Sequence, residues 1–98
     1  MRIIAGKHRG RVLAEFRGTD VRPTADRVKE SLFQILSDRL IGARVLDLFC
    51  GSGALGLESL SRGAKEVVFN DVSDESLAIL RKNLAALREH GQVSQADY

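Results

Sequence analysis

The sequence predicts an α/β fold: the first half of a parallel, doubly wound sheet (βαβαβ), preceded by a β-hairpin and a helix. Three observations predict it. Two short apolar runs, residues 45–48 and 67–69, are typical of strands buried in a parallel sheet. A segment with helical periodicity follows each run, and a glycine-rich turn, GSGALG, joins the first run to its helix.

Length and composition indicate one small globular domain. The chain has 98 residues, of which 44% are hydrophobic and 29% charged, and its net charge is only +2. No apolar run is long enough to cross a bilayer, the N-terminus does not resemble a signal peptide, and the single Cys50 cannot form an internal disulfide. We therefore expect no membrane partner and a cytoplasmic location. His8 and His90 lack further ligands at metal-binding spacing, so no metal is expected.

The N-terminal segment, residues 1–22, carries an excess of basic side chains and is predicted to begin with a β-hairpin. Residues 3–5 and 12–13 would form its strands, with Gly6 and Gly10 bracketing the turn. Basic side chains cluster at its tip: Lys7, His8, Arg9 and Arg11. Such a tip is either simply solvated or in contact with phosphates, and these four residues are the candidates for RNA binding.

A helix is predicted to follow Pro23, which ends an exposed connection over residues 14–22. Thr24 is placed to cap this helix, and Gly42 is expected to close it. Its buried face is predicted to carry the apolar residues at helical spacing: Val28, Leu32, Ile35 and Leu36. The α/β unit is accordingly placed at residues 23–98.

The remaining elements alternate between helix and strand. A helix should run from near Gly53 to Gly63, and a helix capped by Ser73 or Asp74 should run to Gly91. The second of these helices is expected to bury one face made of Leu77, Leu80, Leu84 and Leu87. Residues 92–95 are predicted to begin a third strand, so the ligand is expected at the carboxyl ends of the strands.

The glycine-rich turn matches the G-x-G-x-x-G pattern of nucleotide-binding sites through Gly51, Gly53 and Gly56. Asp71 ends the next strand twenty positions after Gly51, where a carboxylate can accept hydrogen bonds from ribose hydroxyls. This arrangement fits either a dinucleotide or S-adenosylmethionine. Alternatively, the glycines serve only a tight connection between strand and helix.

Asp47, at the end of the first strand, discriminates between these two ligands. A fixed negative charge there is unfavourable beside a pyrophosphate, but it is favourable near the sulfonium and ammonium groups of S-adenosylmethionine. We therefore predict S-adenosylmethionine as the cofactor. A simple capping or solvated carboxylate is the alternative interpretation of Asp47.

Other functions remain open at this point. A dinucleotide-dependent oxidoreductase domain would bind NAD at the same turn, and a non-catalytic RNA-binding module would use the basic hairpin alone.

Cys50 suggests a methyl-accepting nucleophile, but no histidine base lies near it in sequence. A small buried residue beside a tight turn is the commoner explanation for such a cysteine.

Three segments together resemble one enzyme family. DLFCGSGALGLESLSRGA resembles the first motif of class I methyltransferases in its RsmD-type form, and MRIIAGKHRGR and RPTADRVKESLFQIL are similar to that family's N-terminal region. The resemblance implies a Rossmann-like class I S-adenosylmethionine-dependent fold. It also implies methylation of the N2 amine of a guanine in 16S ribosomal RNA, with that RNA or the small-subunit particle as partner.

The resemblance also implies a set of cofactor-binding residues. The turn would surround the methionine part through Asp47, Phe49, Cys50, Gly51, Ser52 and Gly53. Asp71, in place of the glutamate more common in the family, would bind the ribose, and Val72 would pack on the adenine. Asp97 would face the adenine amine, while Thr24 and Arg27 would close the carboxylate end.

One part of the family pattern is absent from the sequence. The D/N-P-P-Y/F motif, which in the family orients the target amine, has no counterpart, because Pro23 is the only proline. We therefore interpret the chain as the cofactor-binding, N-terminal part of a longer methyltransferase, inactive by itself. A fold cut after its third strand would expose the edge of residues 45–48, so self-association is expected.

Overall fold

A computed structural model of the protein describes residues 1–15 and 23–97, with side chains in the first helix described from Arg27 onward. The N-terminal hairpin occupies residues 1–13. The elements that follow are α1 (Pro23–Leu40), β1 (Arg44–Asp47), α2 (Ala54–Ser61), β2 (Glu66–Asn70), α3 (Asp74–Leu87) and β3 (Gln92–Ser94). Among the helices so described, none has the length and apolar character needed to cross a bilayer. Residues 16–22 of the predicted connection lie outside the described part.

The three strands form one parallel sheet in the order β1-β2-β3. Val45 pairs with Val67, and Phe69 pairs with Val93. The βαβαβ order predicted from the sequence is therefore confirmed. Because the strands all run in the same direction, the loops that leave their carboxyl ends meet at one edge of the sheet.

The core lies between the sheet and the helices α2 and α3. Its buried residues are Ile3, Leu13, Cys50, Leu57, Leu60, Val67, Phe69, Leu77, Leu80, Leu84 and Leu87. Gly56 allows α2 to pack closely on β2, because a Cβ at this position would overlap the Phe69 ring. Gly53 precedes α2 with φ 95°, a conformation that glycine adopts readily. Gly56, the third glycine of the motif, therefore has the predicted role of allowing close packing between helix and strand.

The N-terminal segment turns back between Gly6 and Gly10 as predicted, but the predicted strands over residues 3–5 and 12–13 are reduced to one isolated bridge. Arg2 and Val12 form an antiparallel bridge. The Ile3 N–H donates to the Arg11 carbonyl at 2.9 Å, and Gly6 and Gly10 adopt positive φ values of 87° and 83°. Since Ile3 and Leu13 belong to the core, the hairpin is part of the α/β unit's packing.

The buried face of α1 differs from the prediction. Val28, Leu32 and Ile35 are 64%, 40% and 77% exposed, whereas Lys29 and Phe33 are buried. The face that α1 directs at α2 makes polar contacts that apolar periodicity does not reveal. Lys29 Nζ lies 3.1 Å from Glu58 Oε1, and the Arg62 guanidinium lies 4.9 Å from the centroid of the Phe33 ring. At its other end, α1 starts at Pro23, so Thr24 lies in the first turn and its side chain is outside the described part.

The end of α3 also differs from the prediction. Ser73 caps its start, accepting a hydrogen bond from the Ser76 N–H, but the helix stops at Leu87 and not at Gly91. Arg88 takes a left-handed conformation with φ 54°, and its N–H together with that of Glu89 bonds the last helical carbonyls. Gly91 packs instead against the Phe69 ring.

Candidate cofactor site

The candidate site lies where the loops after β1, β2 and β3 meet. The Cys50 N–H donates to the Asn70 carbonyl at 2.8 Å, which joins the glycine turn to the end of β2. The Asp71 N–H lies 3.3 Å from the Ser94 carbonyl, which joins β2 to the end of β3. The turn residues, Asp71 and the residues after β3 therefore share one edge, as the sequence predicted.

Asp71 lies directly against the glycine turn. Its Oδ2 accepts a hydrogen bond from the Gly51 N–H at 2.9 Å, and its Oδ1 accepts one from the Ser73 N–H at 3.0 Å. An ionised carboxylate has about four acceptor positions, so each oxygen keeps one for a further donor such as a ribose hydroxyl. The geometry thus permits Asp71 to fix the turn and to bind a diol at the same time.

Asp47 occupies the end of β1 beside the same turn. Its Oδ2 accepts a hydrogen bond from the Gly56 N–H at 3.1 Å. Burial raises the pKa of Asp47 above its ordinary value, the Gly56 hydrogen bond opposes this rise, and the neighbouring charge of Asp71 adds to it. Two carboxylates near each other make the site favourable for a positively charged ligand.

Cys50 is buried inside the turn. Burial, together with the charges of Asp47 and Asp71, raises the pKa of its thiol to about 11. The thiol therefore stays protonated near neutral pH and is a poor nucleophile. This chemistry favours the interpretation of Cys50 as a small buried residue over a methyl-accepting one.

The other predicted contact residues are mostly accessible. Phe49 is 75% exposed and Val72 57% exposed, so both present apolar surface beside the turn. Asp97 is exposed after β3. Ser52 lies next to the hairpin, with its hydroxyl 3.7 Å from the Met1 sulfur. These positions are compatible with ligand contacts, and their roles stay predictions.

The sequence interpretation missed two side chains that organise this edge. The buried Asn70 donates to the Leu48 carbonyl and exchanges hydrogen bonds with Ala96, all at 2.9 to 3.0 Å. Gln95 donates to the Val72 carbonyl at 3.0 Å, which joins the loop after β3 to the loop after β2. A polar residue at the buried end of an apolar strand was the only signal for Asn70.

A comparison with known protein families shows to which family this chain belongs. The model of the family described as "Conserved hypothetical protein 95" matches residues 1–97. The chain belongs to this family. The match includes the basic hairpin, α1 and the glycine turn, the three segments on which the resemblance was based.

Individual relatives point in the same direction. The Ribosomal RNA small subunit methyltransferase D of Haemophilus influenzae is 47% identical over 88 residues, which cover 90% of this chain and 46% of that protein. The solved Escherichia coli protein yhhF has a TM-score of 0.87 at 39% identity, covering 99% of this chain and 52% of its own. The chain thus spans about half the length of these relatives.

Another solved structure that resembles this chain contains a methyl donor and a nucleoside. The Thermus thermophilus 16S rRNA N2 methyltransferase RsmC, in complex with AdoMet and guanosine, has a TM-score of 0.70 at 34% identity. The match covers 84% of this chain and 22% of that one. The fold of the present chain is therefore that of class I methyltransferases, as predicted.

The basic residues of the hairpin fall into two groups. Lys7 Nζ and His8 Nε2 both lie 2.7 Å from Glu89 Oε2, and Arg11 donates to a carbonyl of α3 at 2.9 Å. Arg9 instead lines an open cleft of about 320 Å³ between the hairpin and α1, together with Arg2. The structure therefore separates the four predicted RNA-binding residues, because Arg11 bonds α3, and Lys7 and His8 bond Glu89 just beyond its end.

Two buried polar side chains attach the N-terminal segment to the helices. Glu58, fully buried on α2, accepts hydrogen bonds from the Ile4 and Ala5 N–H groups and from Arg62. Asn83 on α3 bonds the Ala14 backbone and donates to the Ser52 carbonyl at 3.0 Å.

Arg27 is exposed on α1, and its predicted role at the carboxylate end of the cofactor stays a prediction.

Proposed function

We propose that this protein is an S-adenosylmethionine-dependent methyltransferase that modifies the N2 amine of a guanine in 16S ribosomal RNA. The 98 residues supply the cofactor-binding part. The observation that carries this proposal is the position of Asp47 at the end of β1, where its Oδ2 accepts the Gly56 N–H of the glycine turn. A dinucleotide would bring its pyrophosphate toward this carboxylate, whereas a sulfonium and an ammonium group are attracted by it.

The residues present fit the proposed cofactor. Asp71 retains an acceptor position on each oxygen for the ribose hydroxyls, and Asp47 offers negative charge to the methionine end. The exposed Val72 offers an apolar surface for the adenine. When bound, S-adenosylmethionine supplies an electrophilic methyl group, and the residues of this edge bind and orient it.

The target of the proposed reaction is inferred from relatives and from charge. Two relatives named ribosomal RNA small subunit methyltransferase D are 46% and 47% identical to this chain over 88 residues. The hairpin adds basic side chains that suit a phosphate backbone, and one of the predicted four, Arg9, lines the open cleft beside α1. We infer an RNA substrate, either free or in the small-subunit particle, and accordingly a cytoplasmic location.

The target amine needs a hydrogen-bond acceptor that turns the nitrogen lone pair toward the methyl group. The sequence contains no D/N-P-P-Y/F motif. We therefore place the orienting residue outside these 98 residues, in the half of the relatives' length that the chain does not match. The isolated 98-residue chain is then expected to bind cofactor without transferring methyl groups.

A methyl-transfer assay tests the proposal. The intact protein is incubated with tritium-labelled S-adenosylmethionine and unmethylated 16S ribosomal RNA, free or in assembled subunits, and the Asp71→Ala variant serves as control. Label should appear at a guanine N2 in one of the two substrates and should fall strongly in the variant. Binding of cofactor with no label in either RNA would overturn the substrate assignment.

We also propose that the edge of β1 that faces away from β2 is a pairing edge. Among the described residues, β1 pairs only with β2, and Leu46 on it is 61% exposed. A cleft of about 370 Å³ is lined by residues of α1, β1 and α2, and its lining from α1 and β1 is mainly apolar. The 98-residue chain alone should self-associate in sedimentation experiments. A compact monomer that melts cooperatively would contradict this.

A further inference from the structure

We propose that Asn70 is a positioning residue that holds the two ends of the cofactor site at a fixed separation. This inference rests on the proposed function, because it concerns the same cofactor. Asn70 is the last residue of β2, the central strand, and its side chain is 1% exposed. Because this side chain is buried and bonds backbone groups of the neighbouring loops, we infer that it acts through those loops.

The contacts of Asn70 extend in both directions across the sheet. Its Nδ2 donates to the Leu48 carbonyl at 3.0 Å on one side and to the Ala96 carbonyl at 3.0 Å on the other. Its Oδ1 accepts the Ala96 N–H at 2.9 Å. Its own carbonyl accepts the Cys50 N–H at 2.8 Å. One residue thereby joins all three loops of the site.

These contacts lie next to the predicted ligand-binding residues. Leu48 stands between Asp47 and Phe49, which are assigned to the methionine end. Ala96 precedes Asp97, which is assigned to the adenine end. Since S-adenosylmethionine spans both ends, a shift of either loop relative to β2 would lower its affinity, and ordering the loops in advance reduces the entropy lost on binding.

Only an amide of this size satisfies the arrangement. The side chain uses two N–H donors and one acceptor, each directed at a backbone group. An aspartate of equal size keeps the acceptor but loses both donors, so its carboxylate would face the Leu48 and Ala96 carbonyls. An alanine removes all three bonds. The two substitutions therefore separate the donor function from the size of the side chain.

Calorimetric titration of the intact protein with S-adenosylhomocysteine tests the inference. Asn70→Ala and Asn70→Asp should each raise Kd about tenfold or more, the change expected when a buried hydrogen bond is lost. Leu87→Ala, a core substitution at the far end of α3, is the control for lost stability. It should change Kd less than twofold at a temperature where circular dichroism shows every variant folded.

A double-mutant cycle with Asp97→Ala distinguishes positioning from general stability. Asp97→Ala should weaken binding clearly in the wild-type background and much less in the Asn70→Asp background, because Asp97 is then no longer held in place. Equal losses in both backgrounds, or a wild-type Kd in Asn70→Asp, would overturn the inference. A folded wild-type protein that gives no heat with S-adenosylhomocysteine would instead refute the proposed function.

Discussion

The Gly51 N–H donates to Asp71 Oδ2 at 2.9 Å, and this bond links the glycine turn after β1 to the first residue after β2. The Ser73 N–H bonds the other oxygen of the same carboxylate at 3.0 Å. Asp71 therefore bonds the glycine turn with one oxygen and the start of α3 with the other, and each oxygen keeps a further acceptor position for a ligand. The shorter arm of aspartate compared with glutamate suits this double role.

Replacing Asp71 with alanine should weaken binding of S-adenosylhomocysteine by about 1 to 3 kcal/mol, because ribose hydroxyls lose their acceptor. Asp71→Asn, which keeps an acceptor for Gly51, should lose less. Isothermal titration calorimetry measures both. The loss on Asp71→Ala should shrink for an analogue without the ribose hydroxyls, and an unchanged Kd for the complete ligand would remove Asp71 from the site.

Asp47→Asn should separate charge from geometry, because asparagine keeps an acceptor for the Gly56 N–H. We expect binding of S-adenosylmethionine to weaken by up to about 4 kcal/mol, the size of the interaction between two unit charges about 4 Å apart at an effective dielectric near 20. The neutral analogue adenosine should be affected much less. Equal losses for both ligands would mean that Asp47 acts only through the fold.

The same variant should be more stable than the wild type when no ligand is bound. The pKa of Asp47 is raised in the folded state, so its contribution to stability is greatest below the unfolded pKa and falls as pH rises through the folded pKa. Thermal melts at neutral pH should show a higher Tm for Asp47→Asn, and the difference should shrink in acid. A lower Tm at neutral pH would contradict this.

Cys50 should resist alkylation in the native protein. Its thiol pKa is raised to about 11 and the side chain is buried, so little thiolate is present at pH 7.5. Incubation with iodoacetamide, followed by mass spectrometry, should show labelling only after addition of denaturant. Rapid stoichiometric labelling of the folded protein would restore the nucleophile hypothesis.

Glu58→Gln should destabilise the protein by about 3 to 5 kcal/mol, because Lys29 and Arg62 then lose the carboxylate that both contact. Burial raises the pKa of Glu58. Hydrogen bonds from Ile4 and Arg62 and the charge of Lys29 outweigh this effect and hold the pKa of Glu58 below its ordinary value. The stability that ionised Glu58 contributes to the fold is therefore present above the pKa of the group in the unfolded chain, and it is lost as pH falls through the pKa in the folded protein.

Urea unfolding between pH 7 and pH 3 measures both effects. The wild type should lose stability toward acid, and Glu58→Gln should show a flatter pH dependence. Ser59→Ala, an adjacent buried position on the same helix, is a matched control that should leave the acid dependence unchanged. Parallel curves for Glu58→Gln and the wild type would show that Glu58 is not the titrating group.

The sheet and the glycine turn could be predicted because they depend on local signals. The apolar runs that became β1 and β2 and the leucines of α3 each carry one clear periodicity. The glycines at positions 53 and 56 are required by a positive φ and by close packing on Phe69, so their spacing was informative. The placement of Asp71 at the end of the next strand followed directly.

The remaining errors arise from contacts between distant parts of the chain. α1 buries Lys29 because a carboxylate on α2 attracts it, and no pattern within α1 contains that information. The hairpin residues Lys7 and His8 lie against Glu89, more than eighty positions away, and not free at the tip. Asn70 was missed for the same reason, since its partners belong to loops on both sides of its strand.

The most direct test of the account compares two ligands in one experiment. The intact protein is titrated by calorimetry with S-adenosylmethionine and, separately, with NAD, under identical conditions. The carboxylate of Asp47 beside the glycine turn predicts saturable heat with S-adenosylmethionine and none with NAD. Saturable binding of NAD with no heat from S-adenosylmethionine would contradict the assignment of the glycine turn to a methyl donor.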